Sequence, residues 1–238
     1  MKRKFSALIL GLFFVVLIAV ANNPKTLPAV SNSFADNPKL ILDPGHGGVD
    51  GGASSAAGNK ESDINLAIVL KMESLCAFLG IETILTRSED VSIHDESCET
   101  IREKKVSDLK NRAFLIQNTP NAMVISVHQN TFTDPACRGT QVFYGSGECS
   151  VQWAEYTQQL FQRSIDPMNQ RSASGIPEHV YLFKHIECPA ILVECGFLSN
   201  ATDVALLLTD AYQLKLATVL TCAYLHQLQM VPNPLGGE

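Results

Sequence analysis

Apolar residues in this chain fall into short unbroken runs, separated by stretches with helical spacing. Leu40-Ile41-Leu42, Met123-Val124-Ile125-Ser126-Val127 and Ala190-Ile191-Leu192-Val193 have the length of strands. The last run shows no polar alternation, the mark of a strand buried on both faces in a parallel sheet. Residues 81–86, rich in β-branched side chains, and 139–144 add two more strands, and 179–183 reads as a short one. From 61 to 79, Ile64, Ala67, Ile68, Leu75 and Phe78 sit near helical spacing, with Asn59 or Ser62 as cap and Gly80 as the stop. Residues 108–117, with Leu109, Phe114, Leu115 and Ile116 facing inward, form a second predicted helix, and 151–164, 201–208 and 211–228 form three more. The stretch 88–107 is charged and reads as a long irregular connection. Strands alternating with helices predict an α/β fold on a largely parallel sheet, and in such sheets the site lies at the carboxyl ends of strands.

The first 21 residues stand apart. Lys2, Arg3 and Lys4 precede an apolar stretch without charge from Phe5 to Ala21. The segment is a cleaved signal, with Ala19-Val20-Ala21 as its small-residue site, or a retained membrane anchor, and both readings export the rest of the chain. Residues 22–38 are polar, carry Pro24, Pro28 and Pro38, and read as a linker. That leaves 39–230 as one domain and 231–238 as a loose tail.

Composition narrows the function. Lys and Arg total 18 against 24 Asp and Glu, for a net charge of −6. The basic residues of the N-terminal segment contribute to that total, so the exported part is more acidic still. This excludes nucleic acid as a partner and leaves no general attraction to anionic lipid or wall polymer. The seven cysteines form no short paired spacing, and no disulfide framework is expected. Cys76, Cys195 and Cys222 lie in apolar surroundings and read as small core residues.

The chemistry sits at the edges of the buried runs. His46 lies in a glycine-rich loop just past the first strand, Glu61 opens the first helix, and His128 ends the Met123 run. Two imidazoles and a carboxylate make an open ligand set of the kind that holds catalytic zinc and activates water. Each residue alone has an ordinary explanation, since a carboxylate in a first helical turn already complements the helix dipole. Glu194 comes directly after a stretch that buries itself, and a buried carboxylate is costly unless paired or near a metal. It is either an ion-pair partner of Arg87 or Arg112, or a general base and acid that passes a proton from water to a leaving amine. Gly47 and Gly48, where backbone can approach a ligand closely, and Asn130 are candidate substrate contacts. His94 and His226 read as surface residues, while His179 and His185 are candidates for lining a groove.

Taken together, Asp43-Pro44-Gly45-His46-Gly47-Gly48 with Asp50-Gly51-Gly52-Ala53, Lys60-Glu61, Leu85-Thr86-Arg87, Leu109 with Arg112, Ser126-Val127-His128-Gln129-Asn130 and Pro189 through Asn200 resemble the zinc-dependent N-acetylmuramoyl-L-alanine amidases (amidase type 3). The resemblance runs in order from about Leu40 to Leu228. It implies a mixed, mostly parallel sheet of about six strands flanked by helices on both faces. It also implies zinc (Zn2+) on His46, Glu61 and His128, Glu194 as the catalytic residue, and peptidoglycan as substrate. The bond cut would join the lactyl group of N-acetylmuramic acid to L-alanine. The short N-terminal segment, the lack of an appended wall-binding domain and the approach Glu103 to Leu109 are most similar to germination-specific amidases of spore formers, which act in spore cortex on the way to muramic-δ-lactam.

The rival readings are a different enzyme, the same reaction in another setting, and a module without catalysis. A zinc carboxypeptidase acting on stem peptides needs a cation for the substrate's free carboxylate, for which Arg87, Arg112 and Arg138 are the candidates. A vegetative wall amidase would share the active site. A binding module without catalysis would lack Glu194. An unrestrained wall hydrolase endangers its own cell, so an activating or recruiting protein partner is expected, seated on 88–107.

Overall fold

The computed structural model describes residues 38–230. The expected signal or anchor, the tail and all but the end of the linker lie outside the described residues. Strands β1 (Lys39–Pro44), β2 (Thr83–Leu85), β3 (Ala122–Asn130), β4 (Gln141–Tyr144), β5 (Ser174–Gly175) and β6 (Ala190–Phe197) form one six-stranded sheet in the order β2-β1-β3-β6-β4-β5. β2, β1, β3 and β6 run parallel, β4 runs antiparallel to β6, and β5 is parallel to β4. The helices are α1 (Glu61–Phe78), α2 (Ile101–Gln117), α3 (Glu148–Ser164), α4 (Tyr181–Lys184), α5 (Ala201–Leu207) and α6 (Asp210–Met230).

Side chains of a strand alternate between faces, and here both faces are covered. Leu40, Leu42, Met123, Ile125, Val127, Ile191 and Val193 turn to one side, against Ile68 and Met72 of α1, Trp153 and Phe161 of α3 and Leu220 of α6. Ile41, Val124, Ala190 and Leu192 turn to the other, against Ala113 and Ile116 of α2 and Leu182 and Phe183 of α4. The unbroken apolar runs result from this double burial. The expected α/β class, with a mixed and mostly parallel sheet between helices, is the observed one.

Several local expectations are corrected. Residues 179–183 are not a strand: Tyr181–Lys184 is a single helical turn that puts Leu182 and Phe183 over the sheet. The irregular stretch ends earlier than expected because α2 starts at Ile101. Thr100 accepts from Glu103 N, and the Glu103 side chain returns to the Thr100 N–H, so a capping box nucleates the helix inside a charged sequence. Phe114 faces solvent at 67% exposure, because α2 buries the stripe that carries Asp108 and Arg112 instead. At α1 the cap position is Lys60, without a side-chain cap, and Asn59 bonds Ser55. Cys222 lies on the outer side of α6 and is exposed, whereas Cys76 and Cys195 are buried; all seven cysteines are free.

Candidate active site

The alternation of the strands decides which polar side chains meet. Asp43 shares its face with Ile41, His128 with Val124, and Glu194 with Leu192, so all three look toward α2. In the register of β3 and β6, His128 stands directly opposite Glu194, and Asp43 stands opposite Ser126 across β1 and β3. Neighbouring strands lie about 4.8 Å apart, so these pairs are in reach by geometry alone.

Past Pro44 the chain turns sharply. Gly45 packs flat against the His128 ring, and His46 takes a left-handed conformation with φ 62°. A non-glycine residue persists there only when its surroundings hold it. Two buried guanidinium groups do so. The His46 carbonyl accepts from Arg87 Nε at 2.6 Å and Arg112 Nη2 at 2.7 Å. The Pro44 carbonyl also accepts from both, and Arg87 Nη2 reaches the Gly45 carbonyl at 3.1 Å. Arg112 is anchored by Asp43 at 2.6 Å and Asp108 at 2.8 Å. Asp43 also accepts from Ser126 and Thr86. Burial works against its charge, but Arg112 and these hydroxyls outweigh it and hold the carboxyl at about 2.

Glu61, in the first turn of α1, swings its carboxylate past the end of β1. Its Oε2 accepts from Ala53 N at 2.9 Å and its Oε1 from Gln129 N at 3.1 Å. The same Oε1 lies 2.9 Å from His128 Nδ1 and 3.3 Å from His46 Nε2. The structure therefore brings together the three residues singled out as metal ligands, with donor atoms all within 4.8 Å of one another. On the far side of its ring, His46 Nδ1 meets Asp50 Oδ2 at 3.0 Å, which leaves Nε2 free to face the cluster. Burial disfavours a charged His46, but hydrogen bonds to Asp50 and Glu61 prevail and raise it to about 9. Glu61 is pushed well below the usual carboxylate range, since its contacts with His128 and His46 outweigh its burial.

Glu194 forms no ion pair with Arg87 or Arg112, which are spent on Asp43, Asp108 and backbone carbonyls. Its Oε2 is buried with no hydrogen-bond partner among the described residues. Burial lifts its pKa to about 7, with the nearby His128 pulling down and Glu61 pushing up. A carboxyl poised near neutrality beside a convergent ligand set is what proton transfer requires.

The other candidate contacts lie around this centre. Gly47 N donates to Asp50 O and closes the loop on itself, while Gly48 N donates to Asp90 Oδ1 and ties the loop to the segment after β2, so both amides are used within the protein. Asn130 Oδ1 accepts from Thr131 N. A cavity of about 210 Å³ opens beside His46 and His128, walled on its far side by Val180 to Phe183. His179 and His185 are not in that wall; His185 stacks on Tyr181. Sequence reasoning missed Asp50 as the partner of His46. A carboxylate four residues beyond a ligand histidine in a glycine loop was the available signal.

The chain as a whole is similar to proteins of one family. The family model described as N-acetylmuramoyl-L-alanine amidase matches residues 40–223. A germination-specific N-acetylmuramoyl-L-alanine amidase of Bacillus subtilis is 32% identical over 224 residues, covering 91% of each chain. The CwlD amidase of Clostridioides difficile, solved in complex with the GerS lipoprotein, superposes with a TM-score of 0.78 at 36% identity, covering 82% of this chain and 100% of that one. An N-acetylmuramoyl-L-alanine amidase of Clostridium difficile 630 gives 0.72 at 25% identity over 83% of this chain and 100% of that one.

Proposed function

This chain belongs to the N-acetylmuramoyl-L-alanine amidase family, and on that footing we propose that it cuts the muramic acid–L-alanine amide with one zinc ion held by His46, Glu61 and His128. The observation that carries the reading is Glu194 Oε2, buried and unpartnered among the described residues, directly across the register from His128. The donor set fits zinc: two imidazoles and one carboxylate converge, and Asp50 orients one imidazole from behind. When bound, zinc supplies a Lewis acid that activates water and polarises the amide carbonyl.

Glu194 does the proton work. As the water oxygen bonds to the carbonyl carbon, its proton passes to the Glu194 carboxylate. As the carbon–nitrogen bond breaks, Glu194 returns that proton to the departing L-alanine nitrogen. The products are a free lactyl carboxylate and an intact peptide with a new amine. Asn130 contacts the substrate beside this centre, and Gly48 does so from the edge of the ligand loop, while Gly47 is buried and lets that loop pack against Val91 and Arg87.

The carboxypeptidase alternative loses its cation. Arg87 and Arg112 are buried and engaged by Asp43, Asp108 and backbone carbonyls, and Arg138 does not line the cavity beside His46 and His128. We place the activity in spore cortex, where peptide removal lets a separate deacetylase complete muramic-δ-lactam. Similarity to a germination-specific relative supports this over a vegetative wall role. The protein is exported, with 1–21 as signal or anchor. The lipoprotein bound to the Clostridioides difficile amidase supports a protein partner here too, seated on the charged segment 88–107, which includes the first turns of α2.

The test is cortex sacculi digested with the full chain and resolved by mass spectrometry. Bare muramic acid with intact stem peptides, lost on chelation and regained with zinc, is the expected result. Shortened stems would establish the peptidase instead. Rapid complete digestion by this chain alone would remove the need for a partner.

A further inference from the structure

Asp50 bonds with both carboxylate oxygens. Its Oδ2 holds His46 Nδ1 at 3.0 Å. Its Oδ1 lies 2.8 Å from Lys105 Nζ and accepts from Gly52 N at 3.2 Å. Its main chain closes the same turn, through Gly47 N to Asp50 O at 2.7 Å and Asp50 N to Gly47 O at 3.1 Å. The carboxylate therefore cannot swing freely while Lys105 grips its far oxygen.

Lys105 comes from α2, and its ammonium has no other ion-pair partner among the described residues. It stands on the same side of that helix as Asp108 and Arg112, three and seven residues on, which is the spacing of one helical stripe. The stripe meets the ligand loop at both ends of His46: Lys105 through Asp50 at the ring, and Arg112 at the carbonyl, 2.7 Å from Nη2. Arg112 is buried and also braces Asp43, so its removal would disturb the fold. Lys105 is about half exposed, and the capping box at Thr100 and Glu103 orders the start of its helix without it.

We propose that Lys105 is a positioning residue for the metal centre, holding Asp50 so that Asp50 aims His46 Nε2 at the ion. The proposal rests on the zinc reading above and deepens it, because it makes metal affinity depend on a partly exposed side chain outside the ligand set. A ligand histidine whose second nitrogen is held by a fixed carboxylate loses less freedom on binding and keeps one tautomer. A loosely held carboxylate gives less of both.

The experiment uses the full chain as wild type, Asp50→Asn, Lys105→Met, Lys105→Arg and the Asp50→Asn/Lys105→Met double variant. Zinc affinity is read by competition with a chromophoric chelator, and ligand geometry by the visible spectrum of the cobalt(II) form. Asp50→Asn should weaken zinc binding by about 10- to 100-fold. Lys105→Met should weaken it by about three- to fivefold, as expected for a part-exposed ion pair, with a matching loss of intensity in the cobalt bands. Lys105→Arg should restore binding to within about twofold of wild type. The double variant should be no worse than Asp50→Asn alone, because Lys105 acts only through Asp50. Unchanged affinity in Lys105→Met, or two losses that simply multiply in the double variant, would overturn the proposal. Wild-type protein that takes up neither zinc nor cobalt would overturn the metal reading itself, a result recognisable before any variant is made.

Discussion

Replacing Gly45 with alanine should dislodge His128 while the sheet stands. Gly45 has no positive φ, so its backbone suits alanine. The new Cβ would sit 2.2 Å from Cε1, 2.3 Å from Nε2 and 2.7 Å from Nδ1 of the His128 ring. The backbone cannot retreat. Gly45 N donates to Val127 O at 3.0 Å, and the Gly45 carbonyl accepts from Asn65 Nδ2 and Arg87 Nη2 at 3.1 Å each. The ring must therefore move by about 1.3 Å to regain an ordinary contact near 3.5 Å. A misplacement of about 1 Å at reacting groups costs on the order of 10²-fold in rate. Forcing a methyl into filled space costs about 1–3 kcal/mol of stability, a drop of roughly 2–12 °C in Tm for a domain of this size. Thermal melting monitored by circular dichroism, zinc titration and muropeptide release on one preparation would separate the effects. The expected result is a folded protein with zinc affinity and amidase rate both down by about 10²-fold or more. Wild-type zinc affinity in Gly45→Ala would refute the reasoning, since it would mean that His128 is not held where the structure has it or is not a ligand.

Glu194→Gln keeps side-chain volume and removes the proton acceptor, so zinc content and Tm should hold while turnover falls by about 10²-fold or more; near wild-type cleavage would make Glu194 a structural residue. Arg112→Ala strands Asp43 and Asp108 in the interior and should cost about 3–5 kcal/mol in urea unfolding. The depressed pKa of Asp43 contributes stability that is complete above its unfolded value of 3.8 and is lost as pH falls through about 2. Without Arg112 that depression shrinks, so acid unfolding should begin at higher pH, as circular dichroism against pH would show. His46 titrates near 9 in the metal-free protein, so zinc must displace its proton below that pH. Affinity should rise about tenfold per unit, or about 30-fold between pH 6.5 and 8, in chelator competition. The metal-free fold runs the other way: its raised His46 value contributes stability below 6.5 that is lost as pH climbs through 9.

Local pattern carried much of this protein. Burial on both faces of a sheet demands unbroken apolar runs, and those runs located β1, β3 and β6 before any contact was known. The polar residues that interrupt or end them, His46, His128 and Glu194, stood out because a charge beside such a run needs a reason. Other features were present in the chain but faint. Thr100 and Glu103 spell a capping box, and charge around them masked the start of α2. Residues 179–183 are apolar over too short a length to separate a strand from a helical turn. What only the tertiary structure decided is the meeting of distant side chains. Arg87 and Arg112 reach the His46 carbonyl across 41 and 66 residues, and His128 finds Glu61 across 67. Those encounters depend on strand order, on the register that sets His128 opposite Glu194, and on which stripe of α2 turns inward. One residue of slip in β6 would carry Glu194 to the opposite face and leave the ligand cluster without its proton acceptor. Hydrophobic spacing specifies that a strand is buried; it does not specify which neighbour it pairs with, and the chemistry of this site lies in that pairing.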